Sequence, residues 1–270
     1  MRDESSKKFA LGCYDIVFRM RGQGVLVVIF SHSPKHHFGT IDFTADVLSI
    51  VDTDDTYFTT MPEKLTSFIK DMSADYTMII TVGGSKGGHG AISHGALLAR
   101  VVEKQVRALA FSPVVALHAN TNDVPYVSYR RLQERARDSA HLTEQLRIST
   151  DVTTSKPTTN FKVFCFFGVG NRCDCIEAER LDGAHLLPLP MYHHESVIPF
   201  LCDTSDPKAV SRTVLVLHDK AAEEADVAHL LEKGAVDKMI ADLSRIPKQP
   251  GLSELAELVA KDDIAALRNW

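Results

Sequence analysis

Six residues, Gly83-Gly84-Ser85-Lys86-Gly87-Gly88, stand directly after the apolar run Met78-Ile79-Ile80-Thr81-Val82 and directly before a helical pattern. Strand, tight turn and helix form the setting in which Gly-x-Ser-x-Gly presents a nucleophile. A serine on such a turn has a strained backbone, and side chains close by would collide with the adjacent strand and helix. Glycine at 83, 87 and 88 is the residue type that avoids both problems. The hydroxyl then stands at a helix N-terminus, whose unpaired N–H groups and dipole favour a developing oxyanion. Such an arrangement suits attack on an acyl carbon. The competing reading is a glycine-rich turn that holds phosphate, to which Lys86 lends some substance. The Walker pattern needs four residues between its first glycine and Gly-Lys-[Ser/Thr] and is absent, and the dinucleotide pattern fails on glycine spacing.

The elements that must position this turn are legible as short apolar runs separated by helical patterns. Strands are expected over Tyr14–Met20, Val25–Phe30, Val47–Val51, Met78–Val82, Arg107–Phe111, Phe161–Phe167 and His185–Leu189. Several are apolar throughout, as parallel strands covered on both faces are. Arg21-Gly22-Gln23-Gly24 reads as a hairpin turn between the first two runs. Helices are expected over Pro62–Met72, with Leu65, Phe68, Ile69 and Met72 on one face, and over Lys86–Glu103. A long polar segment, Val127–Ile148, follows the fifth run. The alternation predicts an α/β fold with a mostly parallel sheet and helices on both faces. Past Cys202 the pattern turns wholly helical, over Asp206–Lys233, Val236–Ile246 and Leu252–Trp270. The chain thus divides into residues 1–203 and a helical C-terminal extension, 204–270.

Length and composition bound the rest. A chain of 270 residues that is 44% apolar and 24% charged can bury a core of its own and is not disordered. A net charge of −5 gives no general basic footprint for nucleic acid. No apolar stretch reaches the length of about 18 residues that a membrane span needs, and no signal-peptide pattern opens the chain. Five cysteines, an odd and low number, read as reduced thiols and a cytoplasmic setting.

On the elbow motif and its strand–turn–helix setting, residues 12–203 resemble the α/β-hydrolase superfamily with a serine nucleophile. With Ala110-Phe111-Ser112-Pro113 closing the next strand, the chain is also similar to bacterial hydrolase-like proteins found with surface-polysaccharide and glycosyltransferase genes. The superfamily's order of serine, acid and histidine implies partners downstream of Ser85. Asp174, a few residues past the run Lys162–Phe167, occupies the acid's place, with Glu177 as its rival; Asp174 could instead serve only to cap the helix that follows. His193-His194, between the last strand and an apolar segment, implies the general base, with His194 preferred over His193. The oxyanion hole implied is the N–H of Lys86 with a second donor at Ser31 or His32. Residues 119–150 lie where the superfamily inserts a lid. Their Arg130, Arg131, Arg135 and Arg137 form either an exposed helix face or a site for an anionic or sugar substrate.

The remaining features carry less. Among twelve histidines, none has metal-ligand spacing, and His89 and His94 are expected at the surface or lining a pocket. Cys173 and Cys175 bracket Asp174 without a zinc or redox pattern, and Asp52-Thr53-Asp54-Asp55 reads as a solvated loop. No metal and no cofactor are expected. The function implied is an esterase or related acyl hydrolase acting through an acyl-enzyme on a small-molecule or glycan-type acyl substrate. Two alternatives are acyl transfer to a sugar and a non-catalytic binding or assembly protein. The latter would use the helical tail, through Leu252, Leu255, Val259, Ile264, Leu267 and Trp270, to hold a second copy or another partner.

Overall fold

The computed structural model describes residues 6–22, 24–36, 38, 41–118, 126–206, 208–210, 213 and 233–268. Eight strands form one sheet in the order β1-β2-β4-β3-β5-β6-β7-β8. They are β1 (Ser6–Leu11), β2 (Tyr14–Arg19), β3 (Val25–Phe30), β4 (Asp46–Asp52), β5 (Met78–Gly84), β6 (Gln105–Phe111), β7 (Phe161–Gly168) and β8 (His185–Leu189). β2 pairs antiparallel with both β1 and β4, and every other neighbouring pair is parallel. From β3 the chain steps to β4 on one side and then to β5 on the other, so the strand order reverses there. In open α/β sheets the carboxyl ends beside such a reversal are where ligands bind.

Two differences from the sequence reading concern the N-terminal edge. β1 was not expected, because its residues are mostly exposed and carry no apolar run. It joins β2 through a tight hairpin at Gly12-Cys13, where Leu11 faces Tyr14 and Gly12 takes φ +62°. The hairpin expected at Arg21–Gly24 does not form, because β4 lies between β2 and β3. Asp46 Oδ1 holds that turn instead, accepting from the N–H groups of Arg21 (2.5 Å) and Gly22 (2.8 Å).

Alternation along the strands divides the core into two layers. Leu26, Val28 and Phe30 face α1 (Pro62–Met72), α2 (Lys86–Val101) and α5 (Arg172–Glu179), with Leu65, Ile69, Ile92 and Leu98 packed against them. Val27, Ile29, Ile80, Leu109 and Phe164 face the other way. They meet α6 (Lys233–Leu243), α7 (Leu252–Ala260) and α8 (Ile264–Arg268) through Leu243, Leu255 and Val259. The described part of residues 204–270 therefore covers one face of the sheet. Most of the helix expected over Asp206–Lys233 lies outside the described residues, as does Trp270. The polar segment 127–148 is two helices, α3 (Val127–Arg137) and α4 (Ala140–Thr154). Ser139 caps the second by accepting from Leu142 N–H at 3.2 Å. Among the described residues no helix is long and apolar enough to cross a membrane.

Candidate active site

Ser85 stands between the end of β5 and the start of α2 with φ +52° and ψ −119°, a positive-φ conformation that L-residues rarely adopt. Its N–H is fixed by the carbonyl of Phe111 at 2.8 Å. The tightness of the turn can be measured by what side chains would meet. A Cβ on Gly83 would lie 2.1 Å from the carbonyl oxygen of Gly87, and one on Gly87 would lie 2.1 Å from that of Phe30. Gly88 is nearly as constrained, at 3.0 Å from the Pro113 ring. The close approach of Gly87 to Phe30 also seats the elbow against the turn that carries Ser31 and His32.

Asp174 and His194 converge on Ser85 from the ends of β7 and β8. Asn171 caps α5, its side chain accepting from the N–H groups of Cys173 (3.1 Å) and Asp174 (3.3 Å). The capping role considered for Asp174 thus falls to Asn171, and Asp174 sits inside the first turn with its carboxylate turned to the site. His194 Nδ1 lies 2.7 Å from Asp174 Oδ1, and His194 Nε2 lies 2.7 Å from Ser85 Oγ. A carboxylate only accepts, so Nδ1 carries the proton and Nε2 is left to accept from the serine hydroxyl. That is the tautomer a general base needs. Tyr126, just before α3, joins the group: its hydroxyl donates to Asp174 Oδ1 at 3.0 Å, and its ring stacks on the His194 imidazole with centroids 3.9 Å apart.

By sequence, no family model and no curated protein matches the chain. By structure, it superimposes on a protein from Agrobacterium vitis S4 provisionally called a hydrolase. The TM-score is 0.52 at 13% identity, over 83% of this chain and 98% of that one. The chain has the α/β-hydrolase fold. Weaker structural similarities are to carboxyl esterase 2 of Tuber melanosporum (TM-score 0.46, 12% identity, 70% of this chain and 75% of that one) and to fluorophosphonate-binding serine hydrolase F of Staphylococcus aureus (TM-score 0.47, 11% identity, 68% and 89%). None of these similarities bears on a link to surface polysaccharide.

Within this α/β-hydrolase fold the rival residues take other positions. Glu177 is buried, and its Oε2 accepts from the N–H groups of Val115 (2.6 Å) and Ala116 (2.9 Å). It ties α5 to the segment after β6 and does not approach His194 by any hydrogen bond. Burial pushes its carboxyl above the ordinary range, against those N–H bonds, which pull it down. His193 turns to the tail, with Nε2 3.3 Å from Asp242 Oδ2 on α6. Of the two alternatives for the second oxyanion donor, Ser31 has its N–H bonded to the Ile50 carbonyl at 2.9 Å and its hydroxyl donating to the Lys35 carbonyl.

Around the elbow, His94 lines a cavity as expected, while the acidic run and His89 depart from the sequence reading. The acidic run after β4 is an organised loop. Buried Asp52 accepts from Thr56 N–H (2.7 Å) and Phe58 N–H (3.0 Å), and Asp55 pairs with the Lys86 ammonium at 2.5 Å. α3 is pinned onto this loop by Tyr57 Oη to Ser128 Oγ (2.8 Å) and by Arg135 donating to the Asp54 carbonyl (2.7 Å). His89 and His94 are both fully buried, and burial pushes each down to about 4. His89 donates to the Val114 carbonyl (2.8 Å) and accepts from Ser149 (2.6 Å); His94 donates to the Phe58 carbonyl (3.0 Å) and accepts from Thr66 (3.0 Å). A cavity of about 440 Å³ between α1, α2 and α4 is lined by Phe58, Thr66, His94, Leu97, Ile148 and Val152 among others. Ser85, His194 and Asp174 are not part of its lining. Tyr126, Asn171 and the Glu177 clamp were not anticipated as parts of the site. A tyrosine at the head of a polar helix carries no spacing signal, whereas an Asn three residues before an acid is a legible cap.

Proposed function

We propose that this protein is a serine hydrolase that cleaves an ester or related acyl bond through an acyl-enzyme. The single observation that supports the reading most is the unbroken hydrogen-bond chain from Ser85 Oγ through His194 to Asp174, at 2.7 Å in each link. In this reading Ser85 Oγ attacks the acyl carbon while its proton passes to His194 Nε2, and Asp174 stabilises the imidazolium that results. The oxyanion is met by the N–H of Lys86, at the head of α2, with a second donor from the turn after β3 against which Gly87 is seated. The C–O bond to the leaving alcohol breaks as His194 returns the proton to it. Water then attacks the acyl-serine with the same base, the Oγ–C bond breaks, and an acid is released with Ser85 restored. Asp174 remains a carboxylate throughout.

A fluorophosphonate probe tests this directly. The wild-type protein should be labelled and should hydrolyse short p-nitrophenyl esters, and Ser85→Ala should do neither, with His194→Ala slower than wild type by about 10³-fold or more. Equal labelling of wild type and Ser85→Ala would overturn the reading, as would a wild type inert to both probe and esters. Adding alcohol acceptors to the wild type then separates water from a sugar hydroxyl as the second nucleophile.

A further inference from the structure

We propose that Tyr126 is a positioning residue of this site: its phenol holds the carboxylate of Asp174 while its ring holds the imidazole of His194, keeping the base aimed at Ser85. The inference rests on the hydrolase reading above and adds to it a fourth side chain, from just before α3.

Two contacts on opposite sides of the tyrosine carry the argument. The hydroxyl donates to Asp174 Oδ1, the same oxygen that accepts His194 Nδ1–H, while the buried Oδ2 has no hydrogen-bond partner among the described residues. One oxygen thus takes both donors. The ring lies over the imidazole at 3.9 Å between centroids and 28° between planes, a face contact that a rotated imidazole could not keep. The phenol stays protonated and acts only as a donor, since burial and then the charge of Asp174 push its ionisation well above the ordinary range. Its backbone is fixed as well: Arg130 N–H bonds to the Tyr126 carbonyl at 3.1 Å, and Ser128, two residues on, is bonded to Tyr57.

The chemical consequence follows from charge and solvation. A hydroxyl bonded to Oδ1 draws off part of the charge that would otherwise stabilise the imidazolium, and the stacked ring removes water from one imidazole face. Among the described residues, the other titratable groups acting on this cluster are Glu177 and Cys175 on α5 and Cys165 on β7, which face Asp174, and Cys173 beside Tyr126, with His193 and Glu195 flanking His194 in the chain. His193 is itself paired with Asp242 of α6.

The experiment compares full-length wild type, Tyr126→Phe and Tyr126→Leu. It follows the pH dependence of kcat/KM for a p-nitrophenyl ester and the titration of the His194 ring by NMR. Tyr126→Phe keeps the ring and loses the donor, so the acidic limb of the profile and the His194 titration should both move up, by about half a pH unit or more. Tyr126→Leu loses both contacts, and kcat should fall about tenfold with KM changed less than about twofold. Superimposable pH profiles in wild type and Tyr126→Phe, or an effect confined to KM, would overturn the proposal. If the wild type hydrolyses nothing, the hydrolase reading fails, yet the His194 titration still decides the positioning role, because an unshifted Tyr126→Phe would refute it. Should Tyr126→Leu fail to fold, the phenylalanine variant alone decides.

Discussion

Ser85 is held in its positive-φ conformation by packing that only certain glycines permit, and the glycines around it are not equivalent. A Cβ at Gly87 would overlap the Phe30 carbonyl at 2.1 Å, whereas one at Gly84 would meet nothing nearer than 3.9 Å. Gly87→Ala should therefore cost about 3 kcal/mol and displace the elbow from the Ser31-His32 turn, with fluorophosphonate labelling lost. Gly84→Ala should change stability by less than about 1 kcal/mol. Thermal denaturation of the two variants checks this; equal losses would mean that the elbow is not seated against β3 as described. At this scale the sequence was informative where a motif or a chain order exists, which is why Ser85, Asp174 and His194 could be named as candidates that the fold then brings within hydrogen-bond reach. It was silent where only the fold makes the neighbour, as with Tyr126 and the Glu177 clamp. Which N–H on the turn after β3 stays available depends on β4, which supplies the Ile50 carbonyl that Ser31 N–H meets.

α2 is the element that ties the nucleophile to its surroundings, and two buried histidines fasten it. His94 joins it to α1 and to the loop after β4, and His89 joins it to α4 and the segment after β6. Periodicity located the helix within two residues of its end, but it could not say that both histidines would be enclosed, since the covering segments come from elsewhere in the chain. Their burial has a pH signature. Each is pushed down to about 4 in the folded protein against 6.5 for a free histidine. The unfolded chain therefore binds protons that the folded one refuses, so stability is full above about 6.5 and is lost as pH falls toward 4. Buried Asp52 and Glu177, whose carboxyls are shifted up, act in the opposite sense over part of this range. Comparison with His94→Gln isolates the histidine contribution. The amide can keep both hydrogen bonds but cannot titrate, so urea denaturation between pH 7.5 and 5 should show a shallower loss than wild type. Parallel curves would refute the assignment.

For the whole molecule, the decisive feature is that the described residues beyond 204 help cover one face of the sheet. Periodicity gave the apolar faces of these helices but not what they cover, because a helix stripe looks the same whether it meets its own sheet or a second protein. In the fold, Leu243, Leu252, Leu255 and Val259 are buried with Val27, Ile29, Ile80 and Phe164. The end of the tail is fastened electrostatically. Burial alone would raise the Asp262 carboxyl, but Lys162 on β7 and the guanidinium of Arg107 on β6 hold it below the usual carboxylate range. Removing residues 204–270 should leave that sheet face open to water and yield an aggregating product. Leu255→Ala is the gentler test. It should lower stability by about 2–5 kcal/mol through a cavity under the sheet, as measured by chemical denaturation, while Ser85 in the folded fraction still labels at the wild-type rate. A soluble, monodisperse 1–203 fragment that keeps its fluorophosphonate labelling would show instead that the tail is a separable module. Its apolar face would then have to be explained by a partner, because a stripe of that width is not left exposed to water without one.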